Sequence, residues 1–478
     1  MAKKGKLFNI DPVKQLQKLE NFGHSIHGPG YVYQPTHVDE LHDLVLGAKK
    51  GSFTIALRGA GRSYGDAAMN NAQIVIDLSR MNRVLAWNKD TGVIKVEPGV
   101  TIERLWRYTL GDGWWSPVMP GTMFPTLGGC LGANIHGKNN WKAGTIGEHV
   151  LEFTAMMANG KEITCTPKKN KDLFYSMIGG MGILGIFTSI TYQMKKVYSG
   201  NLDVKAWAVP NLKDLLSATD EGKENDYIVA WLDATQKGKG LGRGQMHSAN
   251  YMSAEKGVHD SQSLRLDHQD LSPNIMGVVP RSIVPLFLGL GMNNLGAWAG
   301  NTAKYLLNRT IGNNKQYFQS FVEFTFLLDY VPGWERAYGK DGLIQYQSFI
   351  PKENAYQTFK EILKTSHRYR NPSYLGVVKR HRPDKFLLSH AVDGFSLALD
   401  LKVKDRNRKK LRELTGELNQ IVLDGEGKFY FAKDSTLTID VVKSYLGEKA
   451  VKKFKSLKNK VDPDGLFQSD LYRRCFGE

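Results

Sequence analysis

The chain has 478 residues, 41% hydrophobic and 10% aromatic, which is enough for more than one globular core and excludes disorder on a large scale. Its 64 Lys and Arg against 47 Asp and Glu leave a formal charge of +17, a balance suited to nucleic acid, an anionic membrane surface or a phosphorylated substrate. Cys130, Cys165 and Cys475 are widely spaced, form neither a metal-ligand pattern nor a disulfide framework, and fit a reducing compartment.

The basic N-terminus is followed by no apolar run of signal-peptide length, which argues against Sec-type export. Near residue 53 the run FTIAL reads as a strand and opens into RGAGRSYGDAA, Arg58–Ala68. The spacing Gly59-x-Gly61-x-x-x-Gly65 is one residue too long for a Rossmann fingerprint. The next strand, QIVIDL, also begins only eight residues after Gly65, too soon for the helix of a βαβ crossover. No G-K-[ST] follows, so a Walker A loop is excluded too. A loop between two strands can still hold a diphosphate on successive N–H groups, with Arg62 adding charge and Ser63 a hydroxyl. The alternative is a tight turn that needs positive φ.

RVLAWNKDTGVIKVEPG predicts a hairpin turning at Asp90-Thr91-Gly92, and TIERLWRYTLGDG a helix capped by Thr101 and stopped by glycine. A glycine-rich stretch of thirty-odd residues from Trp114 has little periodicity, a length that usually signals function. It contains Pro120-Gly121-Thr122, Thr126, Gly128-Gly129 and His136-Gly137-Lys138. VLEFTAMMANGKEITC restores a hairpin, with Asn159-Gly160 as a type I′ signal. A third glycine patch follows at Gly179, Gly180, Gly182 and Gly185. Three such segments imply a large ligand threaded along backbone.

From about Asn201 the pattern changes. DYIVAWLDA and FVEFTFLLDY read as strands, and Gly238–Ser272 between them is polar and poorly patterned. IQYQSFIP alternates, with Gln345 and Gln347 on one face and Ile344, Tyr346 and Ile350 on the other. NAYQTFKEILKTS predicts an amphipathic helix burying Tyr356, Phe359, Ile362 and Leu363. YLGVVKRH and FSLALDLKV are strands, and KKLRELTGELNQIV is a helix. Lys379 shares a face with Leu375 and Val377, where a lysine is costly unless it meets a cavity, an anion or solvent at the strand end. Ser282–Gly300 is the chain's nearest approach to a membrane span, but its asparagines and glycines favour a buried segment, with membrane contact as the alternative. Two basic clusters, Lys402–Arg412 and Lys443–Lys460, each hold seven Lys/Arg against one acid. No zinc-finger, RRM or KH signature accompanies them, so no nucleic-acid partner is expected.

The ordered motifs RGAGRSYGD, PGT, IHGKN and GGMGILGI, continued by GWERAYG, IQYQSFIP, VVKRH and FYFAKDS, resemble the vanillyl-alcohol-oxidase/PCMH-type FAD oxidoreductases. Within that superfamily they look most like the decaprenylphosphoryl-β-D-ribose 2-oxidase branch. The resemblance implies an α+β fold: a two-part FAD-binding domain (1–200 and 428–478) around an inserted substrate domain (201–427), an antiparallel sheet covered by helices. It implies noncovalent FAD, because relatives with tethered flavin often carry histidine where Arg62 stands. Arg58, Gly59, Ala60, Gly61, Arg62, Ser63 and Tyr64 would cradle the diphosphate. Gly121, Thr122, Thr126, Gly129, Ala133, His136 and Gly137 would line the flavin, with Ile186 and Tyr430 near it. Lys433, Lys138, Tyr64 and His136 would be the catalytic candidates. Substrate would meet Lys138, Gln345, Gln347, Lys379, Ser396, Ala398 and Lys433; mycobacterial members carry cysteine where Ala398 stands.

By the same resemblance the reaction would be oxidation of the 2-hydroxyl of a polyprenyl-phosphoryl pentose. This is the first half of an epimerisation in cell-envelope polysaccharide synthesis, with a short-chain dehydrogenase/reductase as partner. The expected location is cytoplasmic, peripheral at the inner face of the membrane, and no metal is expected. Two rival readings stay open: an aldono-1,4-lactone oxidase on the same scaffold, and a noncatalytic basic membrane-binding protein.

Overall fold

The structure, a computed structural model, describes residues 12–477 except 254–259, 276–278, 282–283, 285–288 and 290. Three sheets organise it. The first runs Leu16–Glu20, His27–Tyr33, Ile74–Asp77, Ile55–Arg58; Ile55–Arg58 and Ile74–Asp77 pair in parallel. Their connection carries no helix among residues 59–73, so the glycine loop is the whole crossover. The second sheet is antiparallel, in the order Val84–Asn88, Val93–Val96, Ile186–Gln193, Val150–Met156, Glu162–Cys165.

The third sheet has eight antiparallel strands: Lys315–Ser320, Asn201–Val209, Gly244–Tyr251, Tyr227–Leu232, Gly376–His381, Gly394–Lys402, Leu343–Pro351 and Lys428–Phe429. Helices Leu212–Glu221, Lys352–Arg368 and Arg408–Asp424 pack against it, burying Leu215, Phe359, Ile362, Leu414 and Leu418 with Ile344, Tyr346, Leu397 and Leu399. The opposite face of these strands is left for chemistry. The fold is α+β, and the last strand carries the third sheet past the limit expected at residue 427.

Several local expectations need correction. FVEFTFLLDY is helical: Phe321–Thr325 forms a helix and Leu327–Tyr330 a 3-10 turn. The Ser320 hydroxyl caps it by accepting from Glu323 N at 3.2 Å, a local bond that outweighs the β propensity of the aromatics. The polar Gly238–Ser272 stretch contains the strand Gly244–Tyr251. At Asn159-Gly160 only Gly160 takes positive φ (+77°), so the hairpin turns without the type I′ pair of left-handed residues. Tyr356 is exposed on its helix. The glycine-rich stretch is not irregular throughout; Leu127–Gly132 forms a helix capped by Thr126. The Ser282–Gly300 expectation falls partly outside the described residues, and from Asn294 the chain is helical.

The C-terminal segment returns to the first sheet. Ile55 N donates to Leu466 O (2.7 Å) and Gln468 N to Ile55 O (2.9 Å). Arg474 bridges Asp66 (2.7 Å) and Asp434 (2.9 Å).

Candidate active site

A cavity of about 650 Å³ lies between the glycine segments and the open face of the third sheet, within the 300–1,000 Å³ common for ligand sites. One row of the sheet meets it in register: Trp231 pairs with Val377, Val377 with Ala398, and Ala398 with Gln347. The strand period of two then brings Lys379, Ser396 and Gln345 to the same side. All of them line the cavity.

The glycine loop forms the far wall, in close contact with its neighbours. A Cβ on Gly59 would fall 2.2 Å from Thr126 Oγ1, and Gly61 sits at φ +65°. The Arg62 guanidinium lies between the rings of Phe22 (5.1 Å) and Phe124 (5.0 Å), and its Nε is buried without a partner. Tyr64 N donates to Ala432 O at 3.0 Å, and a Cβ on Gly65 would overlap Asp434 O. The C-terminal segment is thereby seated on the loop, and this contact sets Lys433 Nζ 3.8 Å from the Tyr64 ring centroid.

Four lysines converge on this cavity: Lys138, Lys304, Lys379 and Lys433. None forms an ion pair among the described residues. Burial, reinforced by Lys379, lowers the Lys138 ammonium to about 7; it donates to Phe324 O and sits 4.6 Å from the Phe324 ring centroid. Burial lowers Lys433 to about 7, with Asp400 opposing the fall and Lys379 adding to it. Burial alone lowers Lys379 to about 8, and Lys304, though much of its side chain is exposed, is lowered to about 8 by the desolvation of its ammonium against the Trp231 ring. A desolvated ammonium favours the neutral amine.

His136 is held by Gln347, ring nitrogen to amide at 3.1 Å, and boxed by His381, His390 and Tyr430 at centroid distances of 4.8, 5.4 and 5.4 Å. Burial and the nearby cations drive it well below the ordinary histidine value, so its ring is neutral and its buried Nδ1 has no partner. The Tyr64 hydroxyl is also buried without a partner, and burial raises it well above the usual phenol range.

The sequence-expected residues come together with two exceptions. Ile186 lies outside the cavity, its side chain packed with Tyr33, Met156 and Phe467, so only its backbone could serve a ligand. Gly137 also stands off the lining, between His136 and Lys138, beside Met119 and Asn139. The Ser396 hydroxyl is already bonded to His381 Nε2 (2.7 Å). Sequence reasoning missed Trp231, His247, Lys304 and Asp400. Trp231 sits on a segment read as a plain strand, His247 on one read as a polar, poorly patterned stretch, and Lys304 just beyond the Ser282–Gly300 run, where no element was assigned. Asp400 lies one strand period beyond Ala398, a signal available in FSLALD. It accepts from Gln345 Nε2 at 2.6 Å, and burial raises its carboxyl to about 6.

Residues 29–166 match the family described as an FAD binding domain. The decaprenylphosphoryl-beta-D-ribose oxidase of Mycolicibacterium smegmatis is 31% identical over 433 residues, covering 89% of this chain and 90% of that protein. The chain belongs to the vanillyl-alcohol-oxidase/PCMH-type FAD oxidoreductases. As a member it uses FAD and oxidises CH–OH groups. Mouse L-gulonolactone oxidase, 28% identical, covers 34% of the chain, and a putative D-arabinono-1,4-lactone oxidase of Neurospora crassa, 26% identical, covers 36%. The cavity suits the family's cofactor: close-packed glycines along one wall, an unpartnered guanidinium nitrogen for an anion, and unpartnered Tyr64 and His136 atoms for polar ring edges.

Proposed function

We propose that the chain oxidises the 2-hydroxyl of a polyprenyl-phosphoryl pentose to the ketone, the first half of an epimerisation in cell-envelope polysaccharide synthesis. A short-chain reductase would complete it. The observation that carries this reading is the set of four lysines in one cavity, none of them in an ion pair among the described residues. A neutral lactone has no use for that charge, whereas a phosphodiester sugar does.

The loop Gly59–Ser63, with Arg62, would hold the FAD diphosphate, and Gly121, Thr122, Thr126, Gly129, Ala133, His136 and Tyr430 would border the ring. FAD, when bound, supplies the acceptor for the hydride leaving the carbinol carbon. The protein's own task is the hydroxyl proton. Lys433, with its ammonium near 7, is half neutral at neutral pH and takes that proton on Nζ. Gln345 and Gln347 orient the sugar hydroxyls, and Lys138 and Lys379 hold the phosphate and stabilise the alkoxide as it develops. The flavin is bound noncovalently: Arg62 replaces the tethering histidine, His136 is engaged by Gln347, and burial pushes the Cys130 thiol far above its reactive range.

Anaerobic mixing of the FAD-loaded enzyme with a prenyl-phosphoryl pentose, and separately with aldono-1,4-lactones, tests the proposal. Bleaching of the flavin band by the first and not the second is expected. Bleaching by lactones alone would replace this reading with the lactone-oxidase one.

A further inference from the structure

The helix Asn294–Thr310 is built inside out. Its inward contacts are mostly polar, set around Ala297 and the buried Tyr305. Asn294 donates to Arg370 O (3.0 Å) and accepts from the Tyr374 hydroxyl (2.9 Å); Thr302 accepts from Arg243 (2.8 Å); Lys304 Nζ lies 4.2 Å from the Trp231 ring centroid. Of its seventeen residues only Tyr305 is buried. The leucines point outward: Leu295 and Leu307, with Ile311 just past the helix end, are each more than half exposed and Leu306 nearly so, while Trp298 at the border of this face is 46% exposed. Phe318 on the nearby edge strand Lys315–Ser320 is 67% exposed. An ordinary surface helix does the reverse, and an uncovered apolar patch of this kind marks an interaction surface.

Charge says what covers it. The 52 residues from Leu271 to Val322 contain no Asp or Glu, while carrying Arg281, Lys304, Arg309 and Lys315. At the helix's N-terminal end a second cavity, of about 420 Å³, is lined by Arg370, Lys402, Lys404, Arg406 and Lys410 and, among the described residues, by no acidic one. Lys402 donates to Met292 O; none of the five forms an ion pair among the described residues. Leu295 lines this cavity too, so the apolar face and the basic pocket are continuous. No helix of the described residues is long and apolar enough to cross a membrane.

We infer that the protein docks on an anionic lipid bilayer through the outer face of Asn294–Thr310, with a lipid phosphate seated in the Arg370–Lys402–Lys404–Arg406–Lys410 pocket. An apolar helix face sinks into the headgroup–acyl boundary, and Lys and Arg beside it hold the negative leaflet. The inner face of the same helix presents Lys304 to the catalytic cavity, so docking sets that cavity's wall at the lipid surface. The docking does not depend on which alcohol is oxidised.

The test uses FAD-loaded protein and vesicles without substrate. Wild type is expected to co-sediment with phosphatidylglycerol–phosphatidylcholine vesicles, to be released by salt, and to ignore phosphatidylcholine alone. Leu306→Glu/Leu307→Glu and Lys404→Glu/Lys410→Glu should each lower the partition coefficient by about tenfold or more, with flavin content and melting temperature unchanged. Brominated lipid should quench Trp298 in wild type, seen as the difference from Trp298→Phe; this readout needs no disruptive variant. The proposal is overturned if wild type ignores anionic vesicles or if either charge-inserting pair binds as wild type does. It is also overturned if the patch proves to be a dimer contact, with a wild-type dimer made monomeric by Leu306→Glu/Leu307→Glu.

Discussion

Adding one methyl group at Gly59 tests whether the glycine loop is shaped by contact. Gly59 is not among the glycines at positive φ, so alanine brings no backbone strain, and its whole cost is the new Cβ. That atom would lie 2.2 Å from Thr126 Oγ1, 3.3 Å from its Cβ and 3.4 Å from its Cγ2. Thr126 is 2% exposed and has nowhere to go without giving up its cap, in which Oγ1 accepts from Gly129 N at 3.2 Å. Losing a cap costs about 1 kcal/mol and overpacking about 1–3 kcal/mol, so Gly59→Ala should cost about 2–4 kcal/mol, from the apo-protein's urea midpoint. The same displacement moves the loop that would hold the diphosphate, and FAD affinity, measured by quenching of flavin fluorescence during titration, should fall at least about tenfold, equivalent to 1.4 kcal/mol. Thr126→Ala alone should cost only the cap. In the double variant the 2.2 Å overlap with Oγ1 is gone and only the 3.3 Å approach to the Cβ that alanine keeps remains, so the double should be more stable than Gly59→Ala by about 1–2 kcal/mol. A double variant no more stable than Gly59→Ala would refute the contact argument.

Lys433→Ala should lower the rate of flavin reduction about 10²- to 10⁴-fold while leaving bound FAD unchanged; full turnover would remove Lys433 from the mechanism. Because the neutral amine accepts the proton, the reduction rate should rise with pH through about 7, where the Lys433 ammonium deprotonates. Asp400 holds that value up, so Asp400→Asn should move the acid limb to lower pH; a limb that stays or moves up contradicts the assignment. Arg474→Met leaves Asp66 and Asp434 buried without their cation and should cost about 3–5 kcal/mol in denaturant unfolding. Acid precipitation should leave FAD in the supernatant; a yellow pellet would contradict noncovalent binding.

What was legible in the sequence was what short-range chemistry dictates. The hairpin at Asp90–Gly92 was readable from turn residues, the Thr101 cap from its position before an amphipathic run, and the shared face of Gln345 and Gln347 from a period of two. The misreadings have physical causes. FVEFTFLLDY has strand composition, yet one serine cap makes its start helical. Gly244–Tyr251 was hidden because this central strand buries Gln245 and Ser248 alongside Met246 and Ala249, so no apolar–polar alternation marks it. Lys304 could not be found at all, because the helix that carries it turns its polar residues inward, against the pattern from which burial is read. Asp400 was within reach by counting two residues along a strand whose other members were already chosen.

The pairing of Ile55 with Leu466 and Gln468, and the seating of Ala432 and Asp434 on Tyr64 and Gly65, have a consequence for how the protein is made. The cofactor wall is built early in translation, but its closing contacts arrive some 400 residues later, after the eight-stranded sheet between them. Domains fold largely as they emerge, so the inserted sheet can take shape on the ribosome while the glycine loop waits, its apolar neighbours exposed. Ribosome-bound chains stopped before Tyr430 should therefore hold a folded middle and no flavin. Cofactor loading would then wait until the first and last segments have met through these contacts.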